Sequence, residues 1–244
     1  MTLAATRHWR LPDTHNIRDL GGYARLGGGT TQWNRILRGE ALHLLREDSA
    51  ALLAQRGLSL VIDLRGPHET TVTPHPFREH DKVTYRNVIL FDALAPIAMS
   101  TTPFNMGKRY CDALDQCGPQ LAEVMRAIIT APPGVVLFHC TAGKDRTGIV
   151  AALLLLAAGV NRIDIAEDYA LTAEAEGLIS QLRQRALAAG GEPDHVERVL
   201  ASDAATMLTM LDHLDQAHGG IDSYFAKIGL APAETKSLVD RLCV

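Results

Sequence analysis

Apolar residues along the first two thirds of the chain are spaced as alternating strands and helices. Leu58 to Leu64 is a nearly continuous apolar run, which is typical of a strand buried on both faces. Val83 to Leu90 alternates as a second strand, and Val135 to Phe138 is a short buried third one. A helical face follows Pro119. This order predicts an α/β domain with a central, mostly parallel sheet flanked by helices.

Several helix boundaries follow from residues that favour helix ends. Ser49 is predicted to cap one helix, and Asp164 with Glu167 has the spacing of a capping box. Thr147 to Ala158 is predicted to form a core helix. The stretch Thr70 to His80 contains two prolines and is predicted to be a loop. Beyond position 161 the chain is predicted to be wholly helical.

The composition fits a single domain that spans residues 1–244. Of the 244 residues, 47% are hydrophobic, which is enough to bury a sizeable core at this length. The formal net charge of −4 argues against a surface built as a whole to bind nucleic acid or acidic membranes. An anionic ligand must therefore be bound locally.

Cysteine spacing and hydropathy bear on the location of the protein. The four cysteines form no C-x-x-C pair and show no metal-ligand spacing, which favours reduced thiols. Met1 to Asp13 lacks the apolar stretch of a signal peptide. The longest apolar run, Ile149 to Val160, is shorter than the ~20 residues of a membrane span. The sequence therefore predicts a cytoplasmic protein without integral membrane association, although signal-free secretion stays compatible with it.

The loop from His139 to Gly148 has the composition of a phosphate site. Five residues separate Cys140 from Arg146, and the loop joins a buried strand to a helix N-terminus. Backbone N–H groups and the positive end of the helix dipole can cradle an anion there, and the same field favours a thiolate at Cys140. Arg146 can bind two phosphate oxygens through its planar fork. The pattern predicts nucleophilic attack on a bound phosphate.

This loop, His-Cys-x5-Arg-Thr, resembles the signature loop of the protein tyrosine phosphatases. Its form Ala-Gly-Lys-Asp-Arg-Thr-Gly is similar to that of the atypical bacterial members of the family. The resemblance spans nearly the whole chain. It includes Asn16 to Tyr23, Arg38 to Glu40, Asp63 to Arg65 with Glu69, Asp168 and Tyr169, and the ending around Tyr224 and Leu238.

The resemblance implies a fold of the cysteine-phosphatase type and a role for each loop residue. Cys140 would form a phosphocysteine that water hydrolyses, His139 would orient and stabilise the thiolate, and Thr147 could donate its hydroxyl to the sulfur. No metal or organic cofactor is implied, and phosphate would be the product and an inhibitor. The implied phosphate-binding residues are Thr141, Ala142, Gly143, Lys144, Asp145 and Arg146.

The general acid stays open among three aspartates, because the chain lacks the Trp-Pro-Asp loop of the larger eukaryotic tyrosine phosphatases. Asp145 lies in the signature loop, where the atypical bacterial group is thought to keep its acid, and it is favoured on that ground. Asp63 ends a predicted strand, and Asp92 follows the next strand. Asp63 and Arg65 could instead form a structural ion pair that holds the loop in place.

The resemblance implies phosphotyrosine proteins as substrates, and it extends to phosphoserine, phosphothreonine or phosphoinositide head groups. Lys144 resembles a lysine in the loops of phosphoinositide phosphatases, where the ammonium can meet a second phosphate. It could also be simply a solvated loop side chain. The two interpretations separate a broad phosphatase from a plain tyrosine phosphatase.

Additional helices near the C-terminus exceed what a minimal domain of this type needs. Residues 174–201 place Leu178, Ile179 and Leu182 beside Arg183 and Arg185, a pattern that suits a helix packed on one face and wet on the other. Helices in this position can cover the active site in related bacterial phosphatases. We therefore expect residues 174–201 to form a lid.

Two other classes of function compete with the phosphatase. A catalytically silent phosphate-binding module would use the same cradle, but the presence of both Cys140 and Arg146 weighs against it. An arsenate reductase or sulfur transferase would need resolving cysteines nearby, and Cys111 and Cys117 lie in a different segment.

Overall fold

A five-stranded sheet forms the centre of the computed structural model, which describes residues 6–91 and 104–243. The sheet has the order β1-β2-β5-β3-β4, in which β1 is antiparallel to β2 and the other neighbours are parallel. The predicted mostly parallel α/β sheet is therefore confirmed. The strands are β1 (Arg18–Asp19), β2 (Ile36–Gly39), β3 (Leu58–Asp63), β4 (Thr84–Asn87) and β5 (Val135–His139).

Helices flank this sheet and make up the whole of the described chain after residue 161, apart from short connections. None of the helices within the described ranges has the length and apolarity needed to cross a bilayer. The helices are α1 (Glu47–Gln55), α2 (Pro67–Val72), α3 (Met106–Gln116), α4 (Gly118–Ile129), α5 (Asp145–Ala157), α6 (Arg162–Ala170), α7 (Glu176–Ala188), α8 (Pro193–Leu200), α9 (Ala204–His218), α10 (Ile221–Lys227) and α11 (Pro232–Cys243).

Alternate residues of the central strands enter two different hydrophobic clusters. Ile62 of β3 and Phe138 of β5 belong to the larger cluster, which also contains apolar residues of α3 to α6 and α9 to α11. Val61 and Leu137 point the other way, into a smaller cluster with Leu53 of α1. Because successive strand residues face opposite sides, burial on both faces requires the continuous apolar runs seen in the sequence.

Helix α5 begins two residues earlier than the sequence pattern predicts. The N–H of Gly148 donates to the carbonyl oxygen of Lys144 at 2.7 Å, so the first turn starts at Asp145. Arg146 therefore lies in the first turn of the helix. The apolar stretch that follows is buried, as expected for a helix in the core.

The two predicted helix caps are wrong by a few residues. Helix α1 begins at Glu47, and Ser49 lies within it, where its hydroxyl donates to Asp13 Oδ2 at 2.9 Å. Helix α6 is capped by Asn161, whose side-chain oxygen accepts from the N–H of Asp164 at 2.9 Å. In both cases another residue stands at the boundary, and the expected cap falls inside the first turn.

The segment predicted as a loop from Thr70 to His80 begins inside a helix. Helix α2 spans Pro67–Val72, and its N-terminus is closed by Glu69, whose Oε2 accepts from the N–H of Gly66 at 2.9 Å. Proline at the first helical position favours this start. The short helix places Glu69 next to the signature loop.

Candidate active site

The signature loop leaves the sheet at its centre. Strand β5 lies between β2 and β3, and His139 is level with Gly39 and Asp63 at the carboxyl ends of these three parallel strands. Cys140 follows directly and is only 2% exposed. Ligands of open α/β sheets bind at this edge.

The loop turns its carbonyl groups away from its centre. Within the described ranges, no hydrogen bond engages the backbone N–H groups of Thr141 to Lys144. These donors are therefore available to an anion, as in an N–H nest. Three bonds hold the carbonyl oxygens: Ala41 N to Thr141 O at 3.0 Å, Asn16 Nδ2 to Ala142 O at 2.9 Å, and Arg38 Nη2 to Gly143 O at 2.7 Å.

Gly143 is required where the loop crosses strand β2. Its φ is +69°, and a Cβ atom would lie 2.6 Å from the carbonyl oxygen of Gly39. Arg38 holds this crossing, and Asp168 in turn binds Arg38 Nη1 at 2.5 Å and Arg18 Nε at 3.2 Å. Although burial raises the pKa of Asp168, the two guanidinium groups lower it to about 2. An ionised carboxylate thus anchors the loop from behind.

A cavity of about 220 Å³ opens over the loop. We call it the loop cavity. It brings the predicted nucleophile, phosphate-binding arginine and favoured acid together with residues of the predicted lid. Its lining residues are Glu69, Cys140, Thr141, Ala142, Lys144, Asp145, Arg146, Ile179, Val199 and Leu200.

Arg146 is held by a bidentate ion pair with Glu69. Its Nη1 donates to Glu69 Oε2 at 2.7 Å and its Nη2 to Glu69 Oε1 at 2.8 Å. Thr141 Oγ1 also donates to this carboxylate. Although burial raises the pKa of Glu69, the hydrogen bonds and charge of Arg146 lower it to about 2. Within the described residues, Arg146 Nε is buried without a partner, so this N–H stays available to a ligand.

Asp145 lies in the loop cavity and is positioned by a buried tyrosine. The hydroxyl of Tyr110 in α3 donates to Asp145 Oδ1 at 2.5 Å, and the hydroxyl of Tyr169 lies 2.9 Å from that of Tyr110. Tyr110 is fully buried, and burial with the nearby charge of Asp145 raises its pKa well above the usual value. Tyr110 therefore remains a donor to Oδ1, and no residue of the described ranges bonds to the second carboxyl oxygen of Asp145, which can carry a proton.

Asp63 lies behind the loop in a structural ion pair. Arg65 binds it from Nε to Oδ1 at 2.9 Å and from Nη2 to Oδ2 at 2.8 Å, and the Tyr85 hydroxyl donates to Oδ2 at 2.9 Å. Although burial raises the pKa of Asp63, the charges of His139 and Arg65 hold it below its usual range. Among the described residues that line the loop cavity, Asp63 is not present. The geometry matches the predicted ion pair rather than a general acid.

The structure bears differently on the other three supporting residues, His139, Thr147 and Asp92. His139 is fully buried, its pKa is lowered by burial, and its Nδ1 donates to the carbonyl oxygen of Cys140 at 3.0 Å. It thus orients the backbone of the nucleophile. The Thr147 hydroxyl is buried without a partner among the described residues, so the predicted bond to the sulfur is absent from this structure. Asp92 lies outside the described residues.

Lys144 is not a solvated side chain. It is 3% exposed, and its ammonium donates to the carbonyl oxygens of Val199 and, at 3.0 Å, of Ala201. Asp145 Oδ1 lies 3.3 Å from the same nitrogen. The alternative of a solvated loop lysine is wrong because the C-terminal end of α8 packs over the loop and supplies acceptors.

Several residues of the site were not assigned a role from the sequence. Glu69, Arg38 and Asp168 belong to the segments of resemblance, but nothing in their local sequence indicates that they contact the loop. Tyr110 lies in a segment for which the sequence pattern predicted no element and no role. Each acts across a long separation in sequence, which a local pattern cannot show.

Known proteins resemble this chain in sequence. A family model described as the tyrosine phosphatase family matches residues 9–244. A tyrosine-protein phosphatase of Nostoc commune is 33% identical over 199 residues, covering 78% of this chain and 68% of that protein. The triple specificity protein phosphatase PtpB of Mycobacterium tuberculosis is 24% identical over 264 aligned positions, covering 91% and 94%. A crystal structure of P. aeruginosa TpbA with phosphotyrosine has a TM-score of 0.38 and 14% identity, covering 86% of this chain and 98% of that one.

Proposed function

Because this chain belongs to the tyrosine phosphatase family, we propose that it hydrolyses phosphotyrosine in proteins through a phosphocysteine on Cys140. One observation carries the proposal. The loop cavity contains Cys140, Arg146 and Asp145 within a ring of unengaged backbone N–H groups. A nucleophile, a charge-stabilising fork and an acid are therefore available to one phosphoryl group.

The first step transfers the phosphoryl group to sulfur. The thiolate of Cys140 attacks phosphorus, and the bond from phosphorus to the ester oxygen breaks. Protonated Asp145 gives its proton to the departing oxygen. Meanwhile Arg146 and the loop N–H groups bind the non-bridging oxygens, whose charge they stabilise in the transition state.

The second step returns the enzyme to its starting state. Water attacks phosphorus, the bond from sulfur to phosphorus breaks, and the carboxylate of Asp145 takes the proton of the water. Inorganic phosphate leaves and Cys140 is a thiolate again. The cradle that binds the substrate also fits this product, so phosphate is expected to inhibit.

The proposed range extends to phosphoserine, phosphothreonine and phosphoinositide head groups. The name of the related M. tuberculosis protein, a triple specificity phosphatase, supports a broad range. We further propose a lid at residues 174–201 and a cytoplasmic location. A panel of phosphopeptides and phosphoinositides tests the substrate range. Rapid acid quench and mass spectrometry of the Cys140 peptide test the covalent intermediate. Absence of both turnover and a phosphorylated Cys140 would leave only a phosphate-binding module.

Replacing Asp145 with asparagine should slow poor leaving groups more than activated ones. An alkoxide or unsubstituted phenolate needs a proton as it departs, and general acid catalysis contributes roughly 10²–10⁴-fold. We expect a loss of about this size on a phosphotyrosine peptide and a much smaller one on p-nitrophenyl phosphate. Asp63→Asn is the control, since Asp63 lies behind the loop. Equal losses on both substrates would remove Asp145 from the role.

Replacing Tyr110 with phenylalanine should weaken the positioning of Asp145. The lost hydrogen bond goes to a carboxylate, and such bonds contribute about 1.5–3 kcal/mol. We expect kcat on a phosphotyrosine peptide to fall roughly tenfold, with little change on p-nitrophenyl phosphate. Tyr224→Phe is a matched control, because that buried hydroxyl donates to the carbonyl oxygen of Leu114 instead. If both variants lose activity alike, Tyr110 has only a structural role.

A further inference from the structure

A second cluster of polar side chains lies where helix α3 packs on helix α9. Asp115 is in the last turn of α3, and His213 and His218 are in the second half of α9. Each residue places one nitrogen or oxygen atom within 4.8 Å of those of the other two. We call these three residues the histidine cluster. It is separate from the loop cavity, since none of the three is among the described residues that line that cavity.

Both imidazole rings of the histidine cluster point at one carboxylate oxygen. Nε2 of His213 lies 2.9 Å from Asp115 Oδ1, and Nε2 of His218 lies 2.8 Å from the same atom. Bonds of about 2.0–2.1 Å to a tetrahedral zinc ion place neighbouring ligand atoms roughly 3.3 Å apart. The oxygen and each nitrogen therefore need to separate by only roughly half an ångström for an ion to enter between them.

The rings are held in place by packing. The side chain of His218 is 2% exposed, and its ring packs edge to face on Tyr224, with 4.9 Å between the ring centroids. The ring of His213 packs in the same way on that of His218, at 5.4 Å. The side chain of Asp115 is 42% exposed. An ion can therefore reach two fixed nitrogen atoms from the solvent side.

The ligand atoms determine the class of ion. Two imidazole nitrogens and one carboxylate oxygen suit zinc and the neighbouring late first-row metals, whereas Mg²⁺ and Ca²⁺ prefer oxygen ligands. Although burial raises the pKa of Asp115, the hydrogen bonds of the two histidines lower it, so the carboxylate is ionised at neutral pH. With three ligands from the protein, water would take the fourth position.

Lys227 of α10 contacts the far side of the His218 ring. An ammonium can only donate, so the 3.0 Å contact from Lys227 Nζ makes Nδ1 of His218 an acceptor and leaves the ring proton on Nε2. An ion at Nε2 takes the place of that proton, which moves to Nδ1 and would then face the ammonium. Because Lys227 is exposed, its side chain can turn into water when the ion binds.

We propose that the histidine cluster binds one zinc-class divalent ion, and that Lys227 gives up its contact with His218 when the ion enters. The site is structural. It joins α3 to the C-terminal end of α9 and takes no part in the chemistry at Cys140.

Zinc titration of the full chain tests the site. The chain carries Cys140→Ser throughout, so that the thiol of the loop cavity is not a ligand. By calorimetry we expect one ion per chain with a Kd of about 1 μM, weaker than in closed four-ligand sites. Asp115→Asn and His213→Gln should each weaken binding at least about a hundredfold. Both side chains are partly exposed, so these variants keep the packing of the buried His218.

His68→Gln is the matched control for the ligand variants, because His68 is an exposed histidine on α2 outside the cluster. Its affinity for zinc should equal that of the parent chain. Equal affinity in the parent and in both Asp115→Asn and His213→Gln would mean adventitious binding elsewhere, and it would overturn the site.

Lys227→Met tests the exchange of partners, and its effect has the opposite sign. Zinc should bind about tenfold more tightly to this variant, because no hydrogen bond to the ammonium has to be given up. Lys236→Met is the control, since Lys236 is an exposed lysine on α11 that pairs with Asp240. Unchanged affinity in Lys227→Met would overturn the exchange.

Cobalt and thermal unfolding give two readouts that do not depend on calorimetry. Bound Co²⁺ should show the visible bands of a four- or five-coordinate ion without a sulfur charge-transfer band, and a sulfur band would overturn the assignment. At a free zinc concentration about a hundred times Kd, the Tm should rise by roughly 5–10 °C. An unchanged Tm would overturn the claim that the ion joins α3 to α9 in the folded chain.

Discussion

Replacing Cys140 with serine is expected to abolish turnover and to leave phosphate binding largely intact. The cradle of N–H groups and Arg146 do not depend on the sulfur, but the hydroxyl of serine is a far weaker nucleophile. Loss of a covalent nucleophile lowers kcat by about 10⁶-fold in a well-studied hydrolase, so activity should fall to the background. Steady-state kinetics and phosphate binding by calorimetry measure the two effects.

Cys111→Ser is the matched control for this experiment. Cys111 is partly buried on α3, and its sulfur lies 3.9 Å from the carbonyl oxygen of Thr209, outside the loop cavity. We expect normal turnover in this variant. Substantial turnover in Cys140→Ser would refute the covalent mechanism, and loss of turnover in Cys111→Ser would point to the thiol chemistry of a reductase.

The part of the site that local sequence predicts is the part built from neighbouring residues. Strand β5, the loop and helix α5 are continuous in the chain, so the position of Cys140 and Arg146 follows from apolar runs and one polar interruption. The sheet follows in the same way, because strands buried on both faces must be continuously apolar. Helix starts were less accurate, since Asn161 rather than Asp164 satisfies the free N–H groups of α6.

The rest of the site depends on contacts that tertiary packing makes. Glu69 lies 77 positions before Arg146, and its segment was predicted in part as a loop. Tyr110 lies 35 positions before Asp145. A glutamate at the start of a short helix or a tyrosine on an apolar helical face has no local mark of such a role. These residues become visible only when the carboxyl ends of the strands are brought together.

Packing also bears on two questions that the sequence left open. Asp63 and Asp145 are both acidic residues beside predicted strands or loops, but only Asp145 lines the loop cavity. Lys144 was expected to contact either solvent or a second phosphate. In the structure the backbone of α8, 55 positions later, supplies its acceptors. The solvated alternative is therefore wrong, and the contact with a second phosphate stays a prediction. The Arg65 partner of Asp63 was predicted from the sequence, whereas the backbone acceptors of Lys144 were not.

The second large effect is expected from Arg146→Lys. An ammonium is a point charge that cannot span both oxygens of Glu69 and bind a phosphate with a planar fork. Loss of one oxyanion donor costs about 10²–10³ in kcat, and we expect at least this loss in kcat/KM on a phosphotyrosine peptide. Arg65→Lys is the matched control, because Arg65 makes the same bidentate contact with Asp63 behind the loop. It should lower the free energy of unfolding, and its loss in kcat should be smaller than that of Arg146→Lys.

A double-mutant cycle then decides how Glu69 contributes. If the carboxylate acts by holding the guanidinium, Glu69→Gln should lower kcat/KM roughly tenfold in the parent chain, since it weakens a charge-assisted bidentate pair. The same change should cost almost nothing once Arg146 is lysine, because the fork that Glu69 holds is already gone. Additive losses would show that Glu69 acts on the substrate or on folding independently of Arg146. A large coupling would identify Glu69 as the residue that keeps the phosphate-binding fork in place before a substrate arrives.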